Sequence, residues 1–233
     1  MNILAIDTSE SRGSVCLLEG TSIVASQRHE SDADYSEWLL PAVEQVLRTA
    51  GVPVESVDLF AVATGPGSFT GLRVGLTTVK AWAEVYGKRV IGTSRLEAMA
   101  HSQSTEDAFI AASYDAQRGQ VFGALYRHQG SQLLRLEDEM VISPGGFLDW
   151  VALHAGGERV SWLSLDPALL TSLSGWQKRI AGGDSMTRCS SELTPAIARL
   201  AAERAHAGNF SDPLELDANY VRRSDAEIFW KGR

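Results

Sequence analysis

Residues 64–75 read TGPGSFTGLRVG, the least random segment of this chain. The apolar residues 59–64 predict a buried strand that runs into its glycines. Residues 69–86 predict a helix that starts directly after Ser68 and ends before Gly87. A strand, a glycine-rich turn and a helix in this order are typical of an α/β fold.

Two common phosphate-binding motifs do not fit this segment. It is not a P-loop, because no Gly-Lys-Ser/Thr follows the glycines. A dinucleotide site would need an acidic ribose-binding residue after the next strand, which instead ends in Thr93 and Ser94. The glycines Gly71 and Gly75 lie four residues apart on one helix face, where they allow another backbone to approach closely. Spacing alone leaves open whether that backbone belongs to the same domain or to a second subunit.

The flanking sequence predicts two α/β lobes with similar plans. Short strands at 3–6, 14–18 and 22–28 predict an antiparallel meander, and 32–49 predict an amphipathic helix interrupted by Pro41. Downstream, Ser94 and Glu97 have the spacing of a capping box that opens a further helix. A second series of strands begins at 109–114 and 121–126, and helices open at Pro144 and Pro195. We therefore expect lobes at 1–105 and 106–233, each with a mixed sheet flanked by helices.

Composition excludes several classes of protein. With 29 acidic and 21 basic residues the formal charge is −8, so the chain has no general affinity for phosphate backbones or anionic membranes. The two cysteines, Cys16 and Cys189, are too few and too far apart for a disulfide framework or a structural zinc site. The longest uncharged run, 59–72, is shorter than the ~20 apolar residues of a membrane span, and 3–6 lacks the features of a signal peptide. We expect a cytoplasmic protein with packed thiols.

Three short polar segments are candidates for chemistry. Asp7, Thr8 and Ser9 follow the first strand and could hold a magnesium-bound water and phosphate oxygens, or form an ordinary Asx turn. The turns at Asp115 and Asp184 could face phosphate and adenosine in a two-lobed nucleotide-binding protein, or simply connect strands.

Metal-dependent and serine hydrolases are disfavoured by what the sequence lacks. None of the five histidines forms an i, i+4 pair, so neither HExxH nor HxxxH can present two imidazoles to a metal. No serine lies in a G-x-S-x-G elbow. We expect no metal site and no metallopeptidase activity.

The opening residues MNILAIDTS at 1–9, together with TGPGSFTGLRVG at 64–75, strongly resemble the TsaB family, also called YeaZ. The resemblance extends over essentially the whole chain. It includes LLP at 39–41, DAQR at 115–118 and NYVR at 219–222.

This resemblance implies a fold of the actin, hexokinase and Hsp70 (ASKHA) type, with two ribonuclease-H-like lobes. It implies a non-catalytic subunit that dimerises with and activates a TsaD-type transferase, which forms threonylcarbamoyladenosine in tRNAs reading codons that start with A. A TsaE-type ATPase joins the pair, the chain forms a homodimer when alone, and tRNA is reached only through the complex. No cofactor is required by this chain, and ATP or ADP is allowed at the interface of the complex. TsaD-type subunits carry the metal-binding HxxxH that is absent here.

The resemblance also suggests roles for particular residues. It implies that Asp7, Thr8 and Ser9 are a vestigial phosphate loop and that the N-terminal lobe provides the pairing surface. We place the following residues of the glycine-rich segment at the dimer interface: Ser68, Phe69, Gly71, Leu72, Arg73 and Gly75.

The chain departs from the family pattern in two places. Residues 117–122, QRGQVF, replace two basic residues followed by Glu-Val-Tyr, and Ala218 stands where a proline usually precedes Tyr-x-Arg. Two alternatives to a non-catalytic subunit remain. One is an ATP-dependent kinase or ATPase of the same fold with Asp7 at the phosphates, and the other is a glycoprotease, whose metal ligands are missing.

Overall fold

The computed structural model describes residues 1–30, 33–103, 105, 107–130 and 132–222. The chain folds as two units. The first comprises Met1–Ala98 together with the C-terminal part of the chain from Ser191, and the second comprises Met99–Ser190. Within the described residues, no helix combines the length and the hydropathy needed to cross a bilayer.

Five strands form the sheet of the first unit, in the order β3-β2-β1-β4-β5. They are β1 (Asn2–Asp7), β2 (Ser14–Glu19), β3 (Ser22–Arg28), β4 (Leu59–Gly65) and β5 (Arg89–Ser94). The strands β1, β4 and β5 are parallel, whereas β2 pairs antiparallel with both β1 and β3. The predicted meander and the predicted mixed sheet are both confirmed.

Three helices follow these strands along the chain, namely α1 (Tyr35–Ala50), α2 (Phe69–Tyr86) and α3 (Arg95–His101). A short 3-10 helix spans Val54–Ser56. Helices α1 and α2 end at Gly51 and Gly87, whose positive φ angles of 67° and 61° are the left-handed conformation that glycine adopts without strain. The expected start of α1 at residue 32 lies outside the described residues. Helix α1 is continuous through Pro41, so the expected interruption there is not found.

The second unit contains a six-stranded mixed sheet and the helices α4 to α6. Its strands are β6 (Phe109–Asp115), β7 (Val121–Gln129), β8 (Gln132–Arg135), β9 (Met140–Ile142), β10 (Val160–Ser164) and β11 (Ser185–Arg188). Its helices are α4 (Pro144–His154), α5 (Ala168–Thr171) and α6 (Trp176–Ala181). The order is β11-β10-β6-β7-β8, with β9 pairing to β7, and β6 is parallel to β10. A cluster that includes Phe147, Trp162 and Trp176 forms its core.

The last helix, α7 (Thr194–His206), returns to the first unit and packs on β1 and β2. The hydroxyls of Ser14 and Thr194 lie 2.9 Å apart. Val15 and Leu17 of β2 belong to the core beneath α1 and α2, so the alternating Ser14 and Cys16 face the other side of the sheet, towards α7.

The division of the chain therefore differs from the expected lobes at 1–105 and 106–233. The first unit consists of Met1–Ala98 and of the chain from Ser191 onward. The C-terminal part belongs to it because α7 covers the second face of its sheet. The start signal at Pro195 located this helix in the sequence but carried no information about which sheet it covers.

Candidate functional site

The carboxylate of Asp7 lies at the end of β1 and is completely buried. Its Oδ1 accepts the backbone N–H of Ser9 at 2.9 Å and also the Ser9 hydroxyl. Its Oδ2 accepts Nε of Arg95 at 3.1 Å. Both carboxylate oxygens are thus engaged inside the protein, and the contact with Ser9 is the Asx turn that was one of the two interpretations of this loop.

Arg95, the first residue of α3, supplies the charge that balances Asp7. Its side chain has no exposed surface, and its Nη1 lies 3.6 Å from Oε1 of Glu10. A fully buried guanidinium must be paired, because an isolated charge in a protein interior is very costly. One half of the capping box predicted at this position is present, since Oγ of Ser94 accepts the N–H of Glu97 at 3.3 Å, while the Glu97 carboxylate accepts from Arg204. The buried contact of Arg95 with Asp7 was not predicted.

The glycine-rich segment packs directly against the loop after β1. A Cβ at Gly67 would collide with the carbonyl oxygen of Ser9, and one at Gly71 with the carbonyl oxygen of Thr8. At Gly75 a Cβ would lie 2.5 Å from Oγ1 of Thr8. The Thr8 hydroxyl donates to the Gly71 carbonyl at 2.7 Å, and the N–H of Ser68 donates to the Ser9 carbonyl at 2.6 Å. The backbone approached by these glycines therefore belongs to the same unit.

This packing corrects the expected position of three of the six interface residues. Gly71, Leu72 and Gly75 are buried within the first unit and face its core. The spacing of the two glycines allowed both a close contact within the domain and a dimer face, and the structure shows the contact within the domain.

The other three predicted interface residues are accessible. Ser68 and Arg73 are exposed, and Phe69 is half-buried. The guanidinium carbon of Arg73 lies 3.7 Å from the centroid of the Phe69 ring, a cation–π contact. Its Nε donates to the Tyr220 hydroxyl at 3.2 Å, and the Phe69 and Tyr220 rings are 4.6 Å apart. The C-terminal segment is held there because Asn219 N–H donates to the carbonyl of Thr64 at 2.7 Å.

A groove of about 480 Å³ lies between α1 and α2, beside Arg73. It is lined by Tyr35, Ser36, Leu39, Leu40, Thr70, Arg73, Val74, Thr77 and Thr78. Leu40 is 56% exposed at its edge, although it lies in the middle of an otherwise amphipathic helix. The groove thus combines accessible apolar surface with one cation. The helical pattern in the sequence identifies the buried face of α1, but it does not single out Leu40, the exposed apolar residue beside that face.

Tyr35 joins α1 to the loop that follows Asp7. Its hydroxyl accepts the N–H of Gly13 at 2.5 Å and donates to the carbonyl of Glu10. Burial raises the pKa of the Tyr35 phenol above its usual range, and the nearby charge of Asp7 raises it further. The phenol is therefore a neutral hydrogen-bonding link between α1 and the loop at physiological pH.

In the second unit, the two candidate turns are held by internal contacts. Asp115 accepts the N–H of Gln117 at 2.7 Å, which closes the hairpin between β6 and β7. Asp184 accepts from Nε1 of Trp162 and from Nε of Arg179, each at 2.7 Å. These contacts match the interpretation of both segments as structural turns.

The atypical segment 117–122 and Ala218 both have defined positions. Gln117 and Arg118 have positive φ angles of 62° and 58° in the hairpin turn, while Phe122 is buried and its ring lies 5.5 Å from that of Tyr114. Ala218 packs against the core of the first unit, immediately before the segment that reaches Phe69.

Neither thiol has the properties of a nucleophile. Burial raises the pKa of Cys16 to about 12, partly offset by a hydrogen bond with Thr194. Burial also raises the pKa of Cys189. Among the described residues, no three His, Cys, Asp or Glu side chains are grouped so that they could hold a metal ion.

A family model and a curated relative that match this chain are both named for threonylcarbamoyl modification of tRNA adenosine. The family model described as TsaD, tRNA N6-adenosine threonylcarbamoyltransferase, matches residues 22–167. The tRNA threonylcarbamoyladenosine biosynthesis protein TsaB of Bacillus subtilis is 27% identical over 234 residues, covering 99% of this chain and 98% of that protein.

Solved structures share the fold. A Pseudomonas aeruginosa protein described as similar to the peptidase YeaZ has a TM-score of 0.76 at 24% identity, covering 95% of this chain and 99% of that chain. The ROK hexokinase of Thermus thermophilus has a TM-score of 0.52 at 14% identity, covering 87% of this chain and 100% of that chain. The expected fold class, two mixed-sheet lobes of the hexokinase type, is confirmed.

Proposed function

Because this chain belongs to the family of tRNA N6-adenosine threonylcarbamoyltransferases, within its TsaB (YeaZ) branch, we propose that it acts in tRNA threonylcarbamoyladenosine biosynthesis as a non-catalytic subunit. It pairs with a TsaD-type transferase and activates it. The observation that supports this proposal is that the Asp7 carboxylate is already bound by other groups of the protein. Its two oxygens are bound to Ser9 and Arg95, and the carboxylate is buried.

The occupied carboxylate disfavours the kinase or ATPase alternative. A phosphoryl-transfer site needs a carboxylate that can hold magnesium beside the phosphates. Here the negative charge of the Asp7 carboxylate is neutralised by Arg95, whose Nε lies 3.1 Å from Oδ2 of Asp7. A subunit of this kind contributes surface and stability to a complex rather than a reacting group.

The groove between α1 and α2 is the surface that supports pairing. The exposed Leu40 and the half-buried Val74 are suited to burial against a partner helix, and Arg73 beside them can meet a carboxylate of the partner. The same surface serves for self-pairing when the chain is alone. The partners in the complex are a TsaD-type subunit and a TsaE-type ATPase.

The acidic character of the chain fits an indirect role towards tRNA. With a formal charge of −8, the chain contributes little to binding a phosphate backbone, so we propose that tRNA is bound by the other subunits. ATP or ADP at the interface of the complex would likewise be held with the help of the partners.

Reconstitution tests this function. Purified TsaD-type and TsaE-type subunits are mixed with tRNA, ATP and a threonylcarbamoyl donor, and transfer to adenosine is measured with and without this chain. We expect transfer to depend on the chain, and we expect no ATP hydrolysis by the chain alone. Full transfer in its absence, or ATP turnover by the isolated chain, would contradict the proposal.

Reversing the charge of Arg73 tests whether the groove between α1 and α2 is the pairing surface. Arg73→Glu should weaken pairing by about tenfold or more, because it places a like charge against an acidic partner group. Arg48→Glu is the matched control, since Arg48 is exposed near the end of α1 and contacts Glu44 and Gln45 of its own helix at 3.5 and 2.8 Å. Equal affinities for the two variants would remove Arg73 from the interface.

A further inference from the structure

The ion pair between Arg95 and Asp7 is a costly way to stabilise a protein. Both side chains have no exposed surface, and their closest atoms are 3.1 Å apart. Burying two charges costs desolvation energy that their attraction often does not exceed, so apolar replacements of buried pairs are frequently as stable. The pair therefore suggests a role in fixing a local geometry.

The contacts of this pair lead to the first turn of α2. Asp7 holds the N–H of Ser9 at 2.9 Å, and the Ser9 carbonyl accepts the N–H of Ser68 at 2.6 Å. From the same loop, the Thr8 hydroxyl donates to the carbonyl of Gly71 at 2.7 Å. The start of α2 is thus attached to the loop at two successive points.

The same turn of α2 contributes to the groove. Thr70 lies in it and Arg73 follows it directly, and both line the groove between α1 and α2. Tyr35, which lines the other side of the groove, is attached to the same loop through Glu10 and Gly13. The loop therefore holds residues on both sides of the groove in place.

We propose that Arg95 is the positioning residue of the pairing surface, acting through Asp7 and the loop 7–10 on the first turn of α2. The guanidinium supplies, from within the protein, the positive charge that the kinase-like alternative would require from magnesium. The surface is consequently preformed without nucleotide or metal in this loop. This inference rests on the proposed function, because it concerns the same pairing surface.

The test uses the full chain with the double substitution Asp7→Asn and Arg95→Met, which removes both fully buried charges; Glu10, whose side chain is 30% exposed, loses Arg95 as a partner but remains in contact with water. We expect this variant to fold with a free energy of unfolding close to that of the wild type. Hydrogen exchange at the amides of Gly71 and Leu72 should become faster, while exchange in β1 and β4 stays unchanged. The dissociation constant for the TsaD-type subunit should rise by about 2- to 30-fold.

The matched control removes a second ion pair of the first unit that does not contact α2. Nη2 of Arg204 donates to both carboxylate oxygens of Glu97, at 2.6 and 2.7 Å. The double substitution Glu97→Gln and Arg204→Met should leave both the exchange at Gly71 and the dissociation constant unchanged.

The outcomes separate this inference from the proposed function. If the wild-type chain does not bind the TsaD-type subunit, the proposed function fails, and exchange in the isolated chain still decides whether Arg95 positions α2. Unchanged exchange at Gly71 and Leu72 in the first double variant overturns the inference. So does failure of that variant to fold, because the pair would then be a requirement of the whole fold.

Discussion

At the scale of single residues, Thr8 is where the loop after β1 meets α2. Its hydroxyl donates to the Gly71 carbonyl. A Cβ at Gly75 would lie 2.5 Å from the hydroxyl oxygen of Thr8 and 3.5 Å from Cγ2 of Val62. A side chain at position 75 must therefore displace a buried hydroxyl that already makes a hydrogen bond. Gly75 is required by packing inside the first unit.

The substitution Gly75→Ala should accordingly destabilise the protein by about 1–3 kcal/mol, the usual penalty for overpacking. Urea denaturation measures this change. Gly145→Ala in the first turn of α4 is the control, because no atom lies within 4 Å of the position that its Cβ would take, and it should stabilise by up to about 1 kcal/mol. The penalty at Gly75 should shrink when Thr8 is also changed to Ala. A Gly75→Ala protein as stable as the wild type would refute the close contact.

Cys16 provides a prediction about alkaline pH. Its pKa is raised from 9.0 to about 12 in the folded state, mainly by burial. Between these values the unfolded chain has lost the thiol proton and the folded chain has kept it, so stability must fall as pH rises. This one group contributes a slope of about −1.4 kcal/mol per pH unit.

The measurement compares unfolding of the wild type and of Cys16→Ala from pH 8 to 11. All other groups titrate alike in the two proteins, so the difference between the two stabilities isolates the thiol. The wild type should lose its advantage progressively above pH 9. Parallel pH profiles would show that Cys16 is not buried as described.

At the scale of elements, α1 has a buried apolar face and also carries an apolar residue outside that face. The buried face of α1 includes Leu39, Val43 and Val46, whereas Leu40 remains 56% exposed. A single exposed leucine is ordinary on a protein surface. Its position at the edge of an apolar groove is what connects it to pairing.

We expect Leu40→Asp to leave the fold intact and to weaken pairing with the TsaD-type subunit at least about tenfold, since it places a charge in a buried contact. Leu153→Asp serves as the control, because Leu153 is 76% exposed on α4 of the second unit. Analytical ultracentrifugation of each variant with the partner measures both affinities. Equal weakening by both substitutions would argue against the groove.

Elements were predictable from the sequence because their signals are local. The strand alternation, the glycines after α1 and α2 and the capping box at Ser94 each depend on residues a few positions apart. The contact of Arg95 with Asp7 spans 88 positions, and that of Arg73 with Tyr220 spans 147. No local pattern encodes such pairs, so the contacts that build the candidate site could not be derived in this way.

The same limit explains the two interpretations of Gly71 and Gly75. Their spacing predicts that another segment packs closely against this face of the helix. Only the tertiary structure identifies that segment as the backbone and side chain of Thr8. The family resemblance, by contrast, depends on the whole motif and predicted the fold class correctly.

At the scale of the whole molecule, the first unit is assembled from two distant parts of the chain. Met1–Ala98 supplies the sheet, and α7 after Ser191 covers one of its faces. The second unit is continuous. Independent folding should therefore follow the spatial units rather than the order of the sequence.

A fragment ending at residue 105 should fail to fold, whereas Met1–Ala98 joined through a flexible Gly/Ser linker to residues 191–233 should fold cooperatively. The first fragment leaves the buried Cys16 side of the sheet in water, and the second restores α7 to it. Circular dichroism and thermal denaturation distinguish the two. A stable, cooperative 1–105 fragment would contradict the assignment of α7.

The split first unit also has a consequence for synthesis on the ribosome. The sheet made by the first strands must wait while the roughly 90 residues of the second unit are translated, a delay of about 5–20 s at ordinary elongation rates. During this interval an apolar face of the nascent sheet is accessible to chaperones and to other nascent chains. The second unit, whose residues are contiguous, can be completed first, so the part of the protein translated earliest is the last to reach its native state.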